Sequence, residues 1–277
     1  MMPSTLRILS WNIQNGKGCD SRIDIVRIID YMQAQGPLDL ICLQEVARHF
    51  PEYTSAKQPD QLQALVDAFP DFVPVWGAAL SWPGTAPQRR REFGNLTLTR
   101  RPLLDRRIHV LPATSAQSSG QELQTPRCAV ETLIEGNAGP LRILNAHLAF
   151  HDAHERRQQL AYLSSLQQQE PPQTQGPGIY AQPFHCVRTL LCGDLNLDSR
   201  HEHYRWLAAQ GWQDAWQLCH GSRSHQPTCG IHDLEQWPQG PHCRDYFWLQ
   251  QLRPLELKVD TLTNLSDHQP LILTLEH

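Results

Sequence analysis

Apolar residues recur along this chain in short runs separated by polar and helical stretches. Nine runs have strand character: LRILSWNI (6–13), LDLICLQEV (38–46), FVPVWGAAL (72–80), NLTLTR (95–100), RCAVETLIEG (127–136), LRILNAHL (141–148), VRTLLCGDLNL (187–197), DYFWLQ (245–250) and PLILTL (270–275). Their shortness and their content of Ile, Val, Leu, Thr and aromatics favour a pleated, half-buried surface over a helix. Helical spacing appears instead in 21–35, 59–69, 151–169 and 199–210. In the first of these, Ile25, Ile28, Ile29 and Met32 fall on one face, with Ser21 as the expected cap. The third opens His151-Asp152, an acid in the first turn, and carries Leu160, Leu163 and Leu166. Segments 114–125 and 170–186, small, polar or rich in Pro and Gly, read as surface excursions. Strands of the same character resume on both sides of each. Residues 1–277 are therefore expected to form a single domain, with 275–277 set aside as tag-derived.

Composition narrows this picture. Of 277 residues 40% are apolar and 19% charged, which excludes a disordered chain and supplies a sizeable core. The 24 Lys+Arg against 28 Asp+Glu, a net charge of −4, exclude a uniformly basic nucleic-acid coat but leave room for a local basic patch. Segment 85–110 is such a patch: Arg89, Arg90, Arg91, Arg100, Arg101, Arg106 and Arg107 stand against Glu92 and Asp105. It reads either as a basic rim that attracts a polyanion or as a solvated loop. No run approaches the ~18 apolar residues of a membrane span, and residues 1–9 lack the pattern of a secretory signal. The eight cysteines have no metal-type spacing, so a reduced, cytoplasmic setting is expected.

The chemistry collects at the ends of the apolar runs. LRILSW ends in Asn12, LDLICLQ in Glu45, LRILNA in His147 and TLLCG in Asp194-Leu195-Asn196. Ligands of α/β sheets bind outside the carboxyl ends of strands, so these ends are site candidates. At strand spacing Asp194 and Asn196 point to one side and Leu195 to the other. The later runs instead begin with polar residues: Asp245 opens DYFWLQ, Ser266-Asp267-His268 precedes PLILTL and Gly94-Asn95 opens NLTLTR. If these join the same site, their strands run antiparallel to the others, which implies mixed sheets. Oxygen donors dominate the set and thiolates are absent from it, which favours Mg²⁺ or Mn²⁺ over Zn²⁺.

The ordered series WNI (11–13), QE (44–45), GN (94–95), NAHL (145–148), GDLN (193–196), RDYF (244–247) and SDH (266–268) resembles the endonuclease/exonuclease/phosphatase superfamily. The resemblance runs from residue 11 to residue 268. It implies a four-layer α/β sandwich of two packed mixed β-sheets flanked by helices. It also implies a Mg²⁺- or Mn²⁺-dependent hydrolase of phosphoester bonds. Glu45 then resembles the principal metal carboxylate, with Asn12 beside it, and Asp267 a second metal-side or water-side acid. Asp194 and Asn196 resemble the residues that orient the attacking water and hold phosphoryl oxygens. His268 resembles the catalytic histidine, Asp245 its orienter and His147 the phosphate-contacting histidine of the deoxyribonuclease and sphingomyelinase branches. Asn95 matches a phosphate-side amide or a strand-turn residue.

The expected substrate is a phosphoester, with nucleic acid among the candidates, and the expected state is a monomer. A phosphodiesterase or nuclease comes first, since no aromatic-basic pair follows GDLN as in the 5-phosphatase branch; Leu197-Asp198 stand there. A phosphatase or phospholipase-C-like enzyme on a small ester comes second, and a catalytically silent binding module third. Arg127 is read either as facing the phosphate or as a structural ion pair. Trp82 and Trp237 are read as packing on their own domain, and His151, His154, His201 and His203 as surface residues. Segment 223–243 is expected to wall the pocket.

Overall fold

The computed structural model describes residues 5–84, 86, 89–113, 125–168 and 188–276. Segments 114–124 and 170–186 lie outside the described residues. Among the described residues twelve strands appear in chain order: β1 (Thr5–Asn12), β2 (Leu40–Arg48), β3 (Val73–Pro83), β4 (Arg90–Thr99), β5 (Leu103–Val110), β6 (Cys128–Ile134), β7 (Leu141–His147), β8 (Thr189–Asp194), β9 (Gln213–Asp214), β10 (Asp245–Gln250), β11 (Pro254–Val259) and β12 (Leu271–Glu276). The helices are α1 (Ile25–Ala34), α2 (Gln61–Ala68), α3 (Ala153–Gln168), α4 (Glu202–Ala209) and α5 (Ala215–His220).

The strands form two six-stranded sheets, ordered β11-β12-β1-β2-β4-β3 and β5-β6-β7-β8-β10-β9. Among the described residues only β1/β2 and β7/β8 pair in parallel; every other pair is antiparallel. These are the mixed sheets that the polar run-ends require. Each parallel pair is joined through a helix, α1 for the first and α3 for the second, because the chain must return to the starting edge.

Alternation along β1 explains the layering. Leu6 and Ile8 face the second sheet and pack with Ile143, Leu190, Cys192 and Phe247. Leu9 and Trp11 face outward and pack with Ile25, Ile28 and Met32 of α1. On the outer face of the second sheet Leu144, Leu191 and Trp248 receive Leu160 and Leu163 of α3 and Leu207 of α4. Burying each such side chain contributes about 1.5–3 kcal/mol. Among the described residues no helix is long and apolar enough to cross a membrane.

Several local expectations are corrected. Asp24, not Ser21, caps α1 by accepting from Val26 N, and Asp60 caps α2 in the same way from Gln63 N. β4 starts at Arg90 rather than Asn95, so Arg90 and Arg91 belong to a β-hairpin with β3 and not to a loop. The last strand, expected over 270–275, runs to Glu276 as β12: Leu275 is buried and pairs with Leu6, and Glu276 pairs with Thr5.

A polar clamp joins the two sheets at their centre. Asn145 donates to Leu43 O at 3.2 Å and Leu96 O at 3.0 Å, and accepts from Gln44 Nε2 at 2.7 Å. Asn95 donates to Cys128 O at 3.0 Å. Asn95 is thus an inter-sheet tie, and the phosphate-side reading of it is not supported.

Candidate active site

Strand register brings the functional side chains together. β1 and β2 run in parallel, so Asn12 and Glu45 emerge at the same edge. His147 pairs with Asp194 across β7/β8, and Asp245 pairs with Asp194 across β8/β10. β12 starts beside Ser10, which sets 266–268 at the Asn12 end. There Ser266 Oγ donates to Asn12 O at 2.8 Å and Trp11 Nε1 to His268 O at 2.9 Å.

Backbone irregularity aims two of these residues. The register of β2 against β4 shifts between Leu43 and Val46, and Glu45 within that bulge has φ of 60°. A non-glycine residue there costs about 1 kcal/mol or more, held by the surrounding sheet. Asn196 has φ of 48° and turns its side chain back so that Nδ2 donates to Leu148 O at 3.0 Å. Gly193 has φ of 123°, and a Cβ there would stand 2.0 Å from Ala146 O. Only glycine lets β7 and β8 close beneath Asp194.

Asp194 is the hub. Its Oδ1 accepts from Asn196 N at 2.9 Å and its Oδ2 from Asn12 Nδ2 at 3.0 Å. His147 Nε2 lies 3.4 Å and His268 Nε2 3.6 Å from the same Oδ2. Burial raises the Asp194 carboxyl, but the His268 charge and the bonds from Asn196 N and Asn12 Nδ2 draw it below its ordinary range. His268 Nδ1 is 2.8 Å from Asp245 Oδ2, which also accepts from Thr228 Oγ1 at 2.6 Å. Burial opposes charge on His268, yet Asp245, Asp194 and Asp267 together raise its pKa well above the usual imidazole value. Burial pushes the Asp245 carboxyl up to about 6. His147 is the opposite case. Burial, then the Arg127 and His268 charges, bring it down to about 3, so its imidazole is neutral.

Across the cavity stand Glu45 and Asp267. Glu45 accepts from Asn12 Nδ2 at 3.1 Å. Asp267 Oδ2 accepts from Gln236 Nε2 at 2.8 Å and Trp237 Nε1 at 3.1 Å. Burial and the Asp267 charge raise Glu45 to about 7. Two carboxylates that repel, Glu45 and Asp267, are oxygen donors of the kind a hard divalent cation takes, while Asn12 turns Nδ2 to Glu45 and its Oδ1 accepts from Gln14 N at 3.1 Å. A second grouping, Asp194, Asp245 and His268, is close-packed, but its atoms already serve one another as ion pairs.

These groups line one cavity of about 800 Å³. All the expected site residues except the buried Asn12 and Asp245 reach its wall. Sequence reasoning left Arg127 open; it lines the cavity and its Nη1 contacts His147 Nδ1 at 3.1 Å. Segment 223–243 does wall the pocket, through Gln236, Trp237, Pro238 and Gln239. His151 and His154 are exposed but line the mouth, while His203 is buried rather than on the surface. Arg89, Arg90 and Arg91 do not line the cavity, which corrects their reading as its rim. Thr228 and Arg244 were missed as supports. Arg244 Nη1 donates to Asn196 Oδ1 at 3.1 Å while its guanidinium stands 4.8 Å from the Phe150 ring and 5.0 Å from that of Trp237.

Two sheets that carry this constellation at one edge define a phosphoesterase-type scaffold, and comparison with known proteins gives the class. The profile of the Endonuclease/Exonuclease/phosphatase family matches residues 9–268, and the chain belongs to that family. Its enzymes are hydrolases of phosphoester bonds and generally depend on a divalent metal. Solved structures share the fold at low identity. An endonuclease/exonuclease/phosphatase from Beutenbergia cavernae is 19% identical with a TM-score of 0.72, over 98% of this chain and 71% of that one. A mannosyl-6-phosphatase from Bacteroides thetaiotaomicron is 17% identical with a TM-score of 0.68, over 98% and 99%. TDP2 from D. rerio, complexed with a single-strand DNA product, is 18% identical with a TM-score of 0.67, over 99% and 100%. No curated protein sequence gives a significant match.

Proposed function

We propose that the chain is a single-domain, Mg²⁺- or Mn²⁺-dependent phosphodiesterase. The charge of the cavity carries this reading. Glu45, Asp152, Glu155, Asp194 and Asp267 line it against two cations, Arg127 and the protonated His268. A phosphomonoester near neutral pH carries close to two negative charges, its second pKa being about 6, whereas a diester carries one. An acid-rich cavity therefore receives a diester at lower electrostatic cost.

With Asn12 on the metal side fixing the Glu45 carboxylate through Nδ2, Glu45 and Asp267 would hold the cation. When bound it would polarise a phosphoryl oxygen and neutralise developing charge. Asp194 takes the proton of the attacking water at Oδ2, since its carboxylate is ionised and fixed by Asn12 and by Asn196 N. His268 holds its proton, so it serves as a positive charge and proton donor aimed from Nε2, with Asp245 fixing the ring at Nδ1. His147 presents Nε2–H as a neutral donor to a phosphoryl oxygen. Arg244 holds Asn196 Oδ1, so that the amide keeps one orientation.

A substrate panel with Mg²⁺ or Mn²⁺ tests this: bis-p-nitrophenyl phosphate, p-nitrophenyl phosphate, DNA, RNA and sphingomyelin. Diester turnover without monoester turnover is the expected result. Monoester turnover alone would instead support the second reading, a small-ester phosphatase, which the modest cavity volume also suits. Metal binding with no turnover at all would favour a binding module. His268→Ala and Asp194→Ala should each abolish turnover with the fold intact; near-parental rates in either would sink the assignment.

A further inference from the structure

Beyond the Glu45 bulge, the corner formed by β2, β4 and β3 carries aromatic and basic side chains that the reaction does not use. Trp82 is 47% and Tyr53 44% exposed. Phe50 lies between them, its ring 5.9 Å from Trp82 and 5.6 Å from Tyr53. The Arg91 guanidinium stands 5.4 Å from the Phe50 ring and 5.7 Å from that of Trp82. Arg90 is braced on Ser81 through Nε and Nη2, and Arg89 and Arg90 are exposed.

The two carboxylates set among these groups, Asp60 and Glu92, share one guanidinium. Arg48 binds Asp60 through two nitrogens and Glu92 through the third, and His49 Nε2 lies 3.4 Å from Asp60. Ser81 Oγ also donates to Glu92. Arg89, Arg90 and Arg91 therefore leave the corner positive, with Lys57 on the adjoining turn and Glu52 as the exposed acid there.

This corner adjoins the cavity. Gln61 Nε2 donates to Tyr53 O at 3.1 Å and Asn15 O at 2.6 Å, and its Oε1 accepts from Ala47 N at 3.0 Å. Asn15 follows Gln14, which lines the cavity. Arg48 is three residues beyond Glu45 on the same strand, about 10 Å at strand rise.

We propose that the Tyr53–Trp82–Arg91 corner is a docking surface for single-stranded nucleic acid, holding a strand beside the cavity in which its diester is cut. This rests on the diesterase reading above. Exposed rings offer faces on which unpaired bases stack, and neighbouring arginines follow the phosphates. A duplex hides those base faces, and an acidic peptide would meet the arginines but leave the rings unused.

The test measures anisotropy of labelled oligo-dT, oligo-U and a duplex of equal length, in EDTA so that nothing is cut. In parallel, bis-p-nitrophenyl phosphate turnover is followed with Mg²⁺. The parent should prefer single strands. Trp82→Ala and Arg90→Glu should each weaken single-strand binding about fivefold or more, the effect of losing one base stack or one phosphate contact. Trp82→Phe should restore most of the affinity, and all three variants should keep parental melting and turnover of the small diester. Single-strand affinity unchanged within about twofold in Trp82→Ala and Arg90→Glu would overturn the proposal. So would stronger binding to duplex, or to vesicles of anionic lipid, than to single strands. If the parent turns over no diester yet binds single strands through these residues, the diesterase reading fails and the docking surface stands.

Discussion

Arg127 Nη1 lies 3.1 Å from His147 Nδ1, and because a guanidinium can only donate, this bond leaves the imidazole proton on Nε2. Nε2 is the nitrogen that faces Asp194. With His147 held at about 3, its ring nitrogens should show no titration between pH 5 and 8 in nitrogen-15 spectra. A midpoint above 5 contradicts the arrangement. Arg127→Met should lower kcat/KM about tenfold, the value of one charge-assisted hydrogen bond.

Glu45 makes a counterintuitive stability prediction. Its folded pKa of about 7 lies above the ordinary 4.5, so the folded state loses stability as pH rises from about 4.5 to 7. The loss is about 3 kcal/mol. Glu45→Gln should therefore stabilise the metal-free protein by about 1–2 kcal/mol at pH 7.5 and change little at pH 5. Urea unfolding in EDTA at the two pH values measures both effects. The same variant should lose metal-dependent turnover.

Metal binding should be linked to the same proton. A cation needs the carboxylate form, so apparent affinity for Mg²⁺ should rise by up to about tenfold per pH unit below pH 7 and then flatten. Thermal shifts with and without Mg²⁺ at pH 5.5 and 7.5 read this directly. An equal shift at both would remove Glu45 from the metal set.

The Asp245–His268 pair sets the alkaline side. Since the His268 pKa is raised, the stability it contributes is fully present below the unfolded value of about 6.5 and is lost as pH rises through the raised value. Asp245→Asn removes the strongest of the attractions that hold the proton. It should lower kcat about 10²–10⁴-fold and move the alkaline limb of the pH–rate profile to lower pH. A reduced rate with the limb unmoved would mean that His268 does not act as a cation.

The inter-sheet clamp should be structural. Asn145→Leu strands the carbonyls of Leu43 and Leu96 and removes the shortest bond of Gln44, a cost of about 3 kcal/mol readable in denaturant unfolding. The loss should appear equally with and without metal.

Much of this was legible because strand ends and strand starts carry polar residues that a sheet interior would not tolerate. Asn12, Glu45, His147 and Asp194 end runs, Asp245 begins one, and the fold delivers them to one edge. Asn95 and Gln44 share that signature, yet the bulge at Glu45 turns them into the inter-sheet contact. A one-residue change of register has no sequence mark of its own. β5 and β11 were overlooked because edge strands carry charges, here Asp105, Arg106 and Arg107, and Glu256 and Lys258. Ser21 was preferred as a cap because the apolar periodicity does not mark where the first turn begins. Thr228 holds Asp245 from a segment whose only pattern is its density of Pro, His and Cys.

The pairing of β1 with β12 has a consequence for how the chain comes to life during synthesis. Leu6 meets Leu275, so the first sheet stays open along one side of β1 until β12 has left the ribosome. His268 arrives with that same segment. Until then a nascent chain carries an uncapped strand and no complete proton-transfer set, so the long-range contact of β1 with β12 sets the moment at which the site is assembled.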